Sequence, residues 1–581
     1  MNSNMQEPRP SNNSQNNNTG NMYSYKDDNN INNPNEFQGG AIRRSLGDGN
    51  PNALYPQPVY NPQYSNNNNI NNSYNNNPFQ VDKNNSDDDS FLKWVPYIIF
   101  GCVEVLMIIL IGCLYNCDIR KDPKYSYNRR NDTIIDGIYK DIKEETYLEL
   151  NTYDGLFRDV NVMVFVGFGM LHTLLKRYSW TSITINMMAI AFSFQIGLFA
   201  NLLWQNAFKE NWKYGVLNYE SFMKSIINSC AIIVSLGCVL GKLSVTQYVI
   251  MIIIETFMCS LNYQLCDVKL ETIDAGGALY IHTFGTIFGL AVYMVLFCSK
   301  KMKERLNYYS YFNNSNYFSN ITSFIGVVFL WSYFPSFNSF LVPSENGKYR
   351  SSINTYMSLA GSVVGSFVTS AFFNKGRFVF EHILFGSYSG GVIISGCCSV
   401  CIDHWAPLLI GLLCGAICVT FLSYLKPFFI KWGFHDIYNI ISIHGVPGVL
   451  GAFITAMMIG DINKRIKIND GNDYHYILLY DLNRSNNIQG GVQVGAIFIT
   501  VGLAFICGIA TGYLMKVSKC GKIKNYFTDS EVFENEVNII DNLEQNQFYF
   551  GEFNRESLFQ NKIEYPSYRP SDPRGSQPSY N

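Results

Sequence analysis

Twelve runs of mostly apolar residues, each about twenty long, follow one another along this chain, and no other sequence feature restricts its fold as much. They fall roughly at 92–115, 159–175, 180–204, 221–241, 245–265, 275–299, 318–340, 352–373, 380–400, 405–430, 438–460 and 489–516. In hydrocarbon no water can pair the backbone N–H and C=O groups, so such runs must pair them internally as helices. The expectation is an all-α polytopic membrane protein with twelve transmembrane helices in one domain, 91–517. Apolar residues make up 47% of the 581, and that average hides a sharp split. Residues 1–90 are dominated by Asn with Ser, Pro and Tyr and lack any sustained apolar run, which predicts a disordered tail. Residues 518–581, with Glu531, Glu534, Glu536, Asp541 and Glu544 among aromatics, read as a polar, largely disordered cytosolic tail. No apolar stretch lies near Met1, so the first span is expected to serve as the insertion signal.

Several function classes lose support at once. The formal net charge is -2 with no long basic block, which leaves nucleic-acid binding without a footprint. Most of the 15 cysteines sit inside apolar runs without metal-type pairs, as small buried thiols do. Nucleophile elbows, phosphate loops and metalloprotease signatures are missing, so neither enzyme activity nor a cofactor is expected. An even number of spans puts both termini on one side. A cytosolic N-terminus places Lys176, Arg177, Lys242, Lys300, Lys301, Lys303, Arg305, Lys375 and Arg377 inside, although the outer loop at 117–157 is basic too. Sequons at Asn131 and Asn483 then fall outside.

One phrase occurs twice. Asp274-Ala-Gly-Gly leads to His282-Thr-Phe-Gly, and Asp436 leads to His444-Gly-Val-Pro-Gly448, with the aspartate eight residues before the histidine in both. The copies open spans 6 and 11. A five-span repeat inserts its two copies with opposite orientation, which brings both histidines to the midplane where such folds place a solute. Eight residues of helix span about 12 Å, so neither aspartate can bond its own histidine, and the two have separate tasks. Asp274 and Asp436 suit helix N-caps, a role compatible with attracting cations at a pore mouth. His282 and His444 suit either interhelical hydrogen-bond partners or a facing pair of imidazoles, which can share one proton and still offer a polar edge to a small solute. Gly276 and Gly277 suggest close backbone approach, and Gly361, Gly365, Gly390 and Gly391 suggest tightly packed helices.

Other embedded polar groups leave alternatives open. Glu104 and Glu255 suit a proton or cation path, or pairing with hydroxyls on neighbouring helices. His172, His382, His404, His435 and His475 lie near span ends or in loops, where interfacial or solvated roles are expected. Trp331 through Phe337, interrupted by Pro335, suits an interfacial aromatic belt or a steric gate.

These phrases, with Asp159-Val-Asn-Val-Met-Val-Phe-Val-Gly-Phe-Gly169, Gly241-Lys242, Phe329-Leu-Trp331, Pro335-Ser-Phe337-Asn-Ser and Ile353-Asn-Thr-Tyr356, resemble the Rh glycoproteins of the ammonium transporter/Rh superfamily over about 91–517. The resemblance implies an inverted five-helix repeat and a homotrimer in a plasma membrane, each subunit with its own narrow pore for ammonia, with methylamine as a further candidate solute. It implies His282 and His444 as the twin pore histidines, Phe337 as one of two gating phenylalanines, and Asp274 and Asp436 as the family's aspartates. The second gating phenylalanine falls at Ile227, an adjacent aspartate at Ile226, and an outer-vestibule acid at Tyr263. These departures imply a wider outer mouth that is less attractive to cations. A carbon dioxide channel and a non-conducting membrane anchor or sensor are the rival readings.

Overall fold

The apolar runs fold as helices that satisfy their own backbones. The structure, a computed structural model, describes residues 89–117, 153–210, 212–308, 314–342, 345–465, 486–517, 523 and 526–533. The sequons at Asn131 and Asn483, the tail at 1–88 and most of the loop at 117–157 lie outside those residues. All described residues fall within one unit, Asn76–Asn581.

Twelve long helical segments follow in chain order: α1 (Asp89–Leu114), α2 (153–174), α3 (Ser179–Lys209), α4 (Tyr219–Val239), α5 (Val245–Lys269), α6 (Ala278–Phe297), α7 (Tyr317–Ser339), α8 (Glu345–Phe373), α9 (Phe380–Ile394), α10 (Ala406–Lys431), α11 (Ile441–Arg465) and α12 (Asn486–Val517). Each covers one expected span. Among the described residues, ten helices are long and apolar enough to cross a membrane. The other two are α2 and α9. The first changes from α through a π turn at Met163–Phe168 to a 3-10 turn at His172–Leu174. The second has only 15 residues, roughly 22 Å of rise, and ends in turns. The helical expectation is joined by one small parallel ladder, β1 (Tyr115–Cys117) on β2 (Gly215–Leu217).

Sequence chemistry sets several helix starts. Asn218 with Ser221, Ser244 with Gln247, and Asn316 with Ser319 form reciprocal capping boxes on α4, α5 and α7. The helix α7 runs on through Pro335, which removes one N–H without ending it.

Small residues let the helices meet. Along α8 and α10, a Cβ on Gly361 would overlap the Leu408 carbonyl, one on Gly365 the Leu412 carbonyl, one on Gly411 the Ser358 carbonyl and one on Gly415 the Ser362 carbonyl. Two small-xxx-small stripes therefore interlock backbone to backbone, where lipid offers no hydrophobic drive for association. Ser358, Ser362 and Ser366 on the same face are fully buried, and each donates to a backbone carbonyl.

Part of the polar segment beyond 517 packs on the helices. Tyr526 and Phe527 are buried, the Phe527 N–H donates to the Gly241 carbonyl at 2.9 Å, and Arg305 lies over the Tyr526 ring at 4.5 Å. The Asp529 carboxylate accepts from the Trp180 and Thr181 N–H groups at 3.2 and 2.7 Å, capping α3 from far along the chain. Two apolar rings and one capping acid supply what the tail's average polarity conceals.

Gly411→Ala should sharply lower the yield of monodisperse protein in detergent, because the added methyl meets backbone and cannot be relieved by a rotamer change. Gly502→Ala, with open space around it, should leave the yield unchanged, as size-exclusion chromatography of the two variants would show.

Candidate functional site

The two repeated phrases fold alike. The Asp274 carboxylate accepts from the N–H groups of Ala278 at 2.7 Å and Leu279 at 2.8 Å, four and five residues on. Asp436 accepts from Ile440 and Ile441 at 2.9 Å each, with the same offsets. A π turn follows in both, Ala278–Thr283 and Ile441–Gly445, and each contains its histidine. Wide π turns often mark functional positions, because they rotate one side chain out of α register. In the first copy Gly277 takes a left-handed φ of 78°, and the Gly276 N–H donates to the Ser395 carbonyl at 2.8 Å. A Cβ on Gly276 would overlap Asn338, the close approach that the glycine pair suggested. Both carboxylates thus pair N–H groups where the following helical segment starts.

The histidines meet. His282 Nδ1 lies 3.1 Å from His444 Nδ1, and the rings stack with centroids 5.0 Å apart and planes 18° apart. Two nitrogens at that distance form a hydrogen bond only if one carries a proton and the other does not, so the pair shares a single proton along this contact. Both residues are buried, and the His282 Nε2 has no hydrogen-bond partner among the described residues. Gly448 permits the approach, since a Cβ there would stand 3.0 Å from the His282 Cβ.

Aromatic rings enclose the pair. Phe334 lies 6.3 Å from His282 and packs edge-on to Phe337 at 5.9 Å; Phe168 and Tyr388 lie 6.2 and 6.1 Å from His444. Each aspartate lines a cavity. A cavity of about 260 Å³ is lined by Asp274, Tyr280, Tyr263, Phe340, Lys224, Glu220 and Asp267 among others. A smaller one, about 90 Å³, is lined by Asp436, His435, Leu174, Leu175 and Ile437 together with Glu381 and Lys426. Those last two are paired at 2.7 Å. Beside this smaller cavity Lys242 donates to the carbonyls of Cys238 and His435, and burial holds its ammonium down at about 8 while Asp436 pulls the other way. Burial, then the charges of Lys242 and Lys303, hold the His435 imidazole at about 4, so it is uncharged near neutrality.

The remaining expected residues are placed as follows. Phe337 is buried next to Phe334. Ile226 and Ile227 are buried on α4 in the same apolar cluster as Phe337 and Phe334. Tyr263 lines the Asp274 cavity, packed edge-on against Tyr280 at 4.9 Å, and Glu220 and Asp267 line that cavity too. The hydroxyl-pairing alternative holds for Glu255, whose Oε2 accepts from Ser235 at 2.6 Å. Glu104 is half-buried on α1. Trp331 packs on Tyr356, a side contact away from the histidines, whereas Phe334 of the same phrase touches His282.

Sequence reasoning missed Phe168, Phe334 and Tyr388. Their signal was available in part, since Phe168 sits in the Val-Gly-Phe-Gly phrase and Phe334 in the Pro335 phrase. The interfacial role expected for His172 is overturned, because it is 1% exposed in the interior. It opens the 3-10 turn that ends α2, and its ring is buried against Asn186 and Tyr438.

Comparison with known proteins agrees with this architecture. The model of the Ammonium Transporter Family matches residues 146–526. Ammonium transporter Rh type C of Bos taurus is 30% identical over 448 residues, covering 76% of this chain and 94% of the relative. Ammonium transporter Rh type B of Danio rerio is 33% identical over 442 residues, covering 75% and 90%. The solved structure of Nitrosomonas europaea Rh50, of the Rhesus protein family of channels, superposes with a TM-score of 0.56 at 23% identity, covering 71% of this chain and 99% of that one.

Asp274→Ala and Asp436→Ala should each lower the melting temperature in detergent by a few degrees, the loss of a cap worth about 1 kcal/mol or more. The corresponding Asn variants, which keep one acceptor, should fall between. Melting indistinguishable from the unmodified chain would rule out the capping role.

Proposed function

The chain belongs to the ammonium transporter/Rh superfamily, and from that premise we propose that it conducts neutral ammonia through a pore centred on His282 and His444. It is a membrane transport protein and not an enzyme. The observation that carries the reading is the Nδ1–Nδ1 contact of 3.1 Å. It occupies the inner nitrogens of both rings with one another, which leaves the Nε2 atoms for a solute. A buried Nε2 without a partner forfeits about 1–3 kcal/mol, and a small neutral amine has the donors and the lone pair to recover it.

Charge supplies the selectivity. An ion stripped of water inside an apolar, ring-closed passage faces a penalty of several kcal/mol or more, whereas ammonia carries no such charge. Ammonium therefore gives up its proton to solvent water before it enters the passage, and potassium and sodium, which have none to give, are excluded. The acids of the Asp274 cavity, Glu220 and Asp267, gather cations there, and Lys224, ion-paired to Glu220 at 2.7 Å, tempers that attraction. Phe337 and Phe334 form the gate between this cavity and the pair, with Ile227 on the facing wall of the entrance. Methylamine is the next larger solute that this passage admits.

The working unit is a homotrimer with one pore per subunit, in a plasma membrane, with both termini in the cytosol. The Asp274 cavity then faces out and the Asp436 cavity faces in.

Stopped-flow measurement of internal pH in proteoliposomes tests the reading. An ammonium gradient should raise internal pH faster than in protein-free vesicles, and equal rates would sink the proposal. A parallel carbon dioxide gradient distinguishes a channel chiefly for that gas. His282→Ala and His444→Ala should change the ammonia rate or admit ions, and indifference to both would remove the mechanism. Ile227→Phe should slow methylamine more than ammonia; equal effects would place Ile227 away from the entrance.

A further inference from the structure

The proposed pore accounts for two histidines, but a third lies near them. His172 is buried where α2 tightens into its 3-10 turn, and the Phe168 ring stands between it and the pair, 6.3 Å from His172 and 6.2 Å from His444. Leu174 and Leu175, two and three residues further on, line the Asp436 cavity. His172 thus shares the Phe168 ring with His444 and stands two residues before the lining of that cavity.

Its surroundings set the ring. The Asn186 amide donates to Nδ1 at 2.7 Å, which leaves the imidazole proton on Nε2. Tyr438 packs edge-on at 4.9 Å, and its hydroxyl donates to the His172 carbonyl at 2.9 Å, fixing backbone and ring together. Nε2 points to a spot bordered by Gly237 and Ile440. A Cβ on Gly237 would stand 3.7 Å from that nitrogen and collide with Ile440, the residue whose N–H is held by Asp436. Among the described residues the ring's one hydrogen bond is the one at Nδ1. An imidazole N–H on a buried residue ordinarily has a partner, and none stands at Nε2 among the described residues.

We propose that His172 is a third imidazole of the conduction path, whose Nε2–H donates a hydrogen bond to the neutral amine as it passes from the His282–His444 pair to the Asp436 cavity. The inference rests on the ammonia-channel reading and extends it. The pair offers the solute its first polar station. On the far side of Phe168 His172 supplies the next one before the solute reaches the cavity. Because Nδ1 is engaged by Asn186, this station is a donor only, and it suits a lone pair better than a cation.

The test uses the full chain in proteoliposomes, with flux normalised to folded protein. His172→Leu should lower ammonia flux about threefold or more, the scale of one lost hydrogen bond, while His172→Gln, which keeps an N–H at the same reach, should restore at least about half of it. A Leu variant matching the unmodified chain per folded molecule would overturn the proposal and leave the His282–His444 reading standing. An unmodified chain that moves no ammonia would remove both. Should the Leu variant fail to fold, nitrogen NMR of histidine-labelled, unmodified protein decides. The His172 signal should show the proton on Nε2 and shift when methylamine is added, and a proton on Nδ1, or no shift, would overturn the assignment.

Discussion

Two carboxylates hold this structure's centre in place. A helix that starts inside a protein surrounded by lipid leaves its first N–H groups with no water to pair them, and each orphan is costly. Asp274 and Asp436 meet that need with the same two offsets, accepting from residues four and five positions on. Each thereby anchors the first turn of its helix. With the start anchored, the π turn that follows sets both the depth and the direction of its histidine. The Nδ1–Nδ1 contact is the product of two such anchors acting from two parts of the chain.

The small residues make a second contribution of the same kind. Gly448 lets α11 close on His282, Gly276 lets the first phrase close on Asn338, and the interlocked glycines of α8 and α10 pack backbone against backbone. Serine hydroxyls buried in these contacts donate to carbonyls, so polarity inside the bundle is spent on holding helices together. A few buried groups have no hydrogen-bond partner among the described residues, and His282 Nε2 is one of them. A tail segment joins the same economy, since Asp529 caps α3 with a third carboxylate drawn from beyond the last helix.

Much of this was legible in the residues. Every apolar run became a helix because hydrocarbon leaves the backbone no alternative, and the duplicated Asp-x7-His spacing identified both caps and both ring positions. The less legible parts have a common cause. His172 lies near the end of an apolar run, where a linear reading expects an interface, yet its ring is buried against Asn186 and Tyr438. Phe334 and Trp331 belong to one aromatic phrase, yet one ring faces His282 and the other faces Tyr356. Tyr263 signalled a missing acid, but Glu220 and Asp267 reach the same cavity from other positions.

The sequence by itself determined the helices, their number and the two anchored histidines, because these follow from local hydrogen-bond demand and from spacing along a single helix. Only the tertiary structure decided which rings surround the pair, where the third histidine stands and that part of a polar tail caps a membrane helix. Those outcomes depend on contacts between residues far apart in the chain, and a pattern within one segment carries no information about which neighbour it will meet.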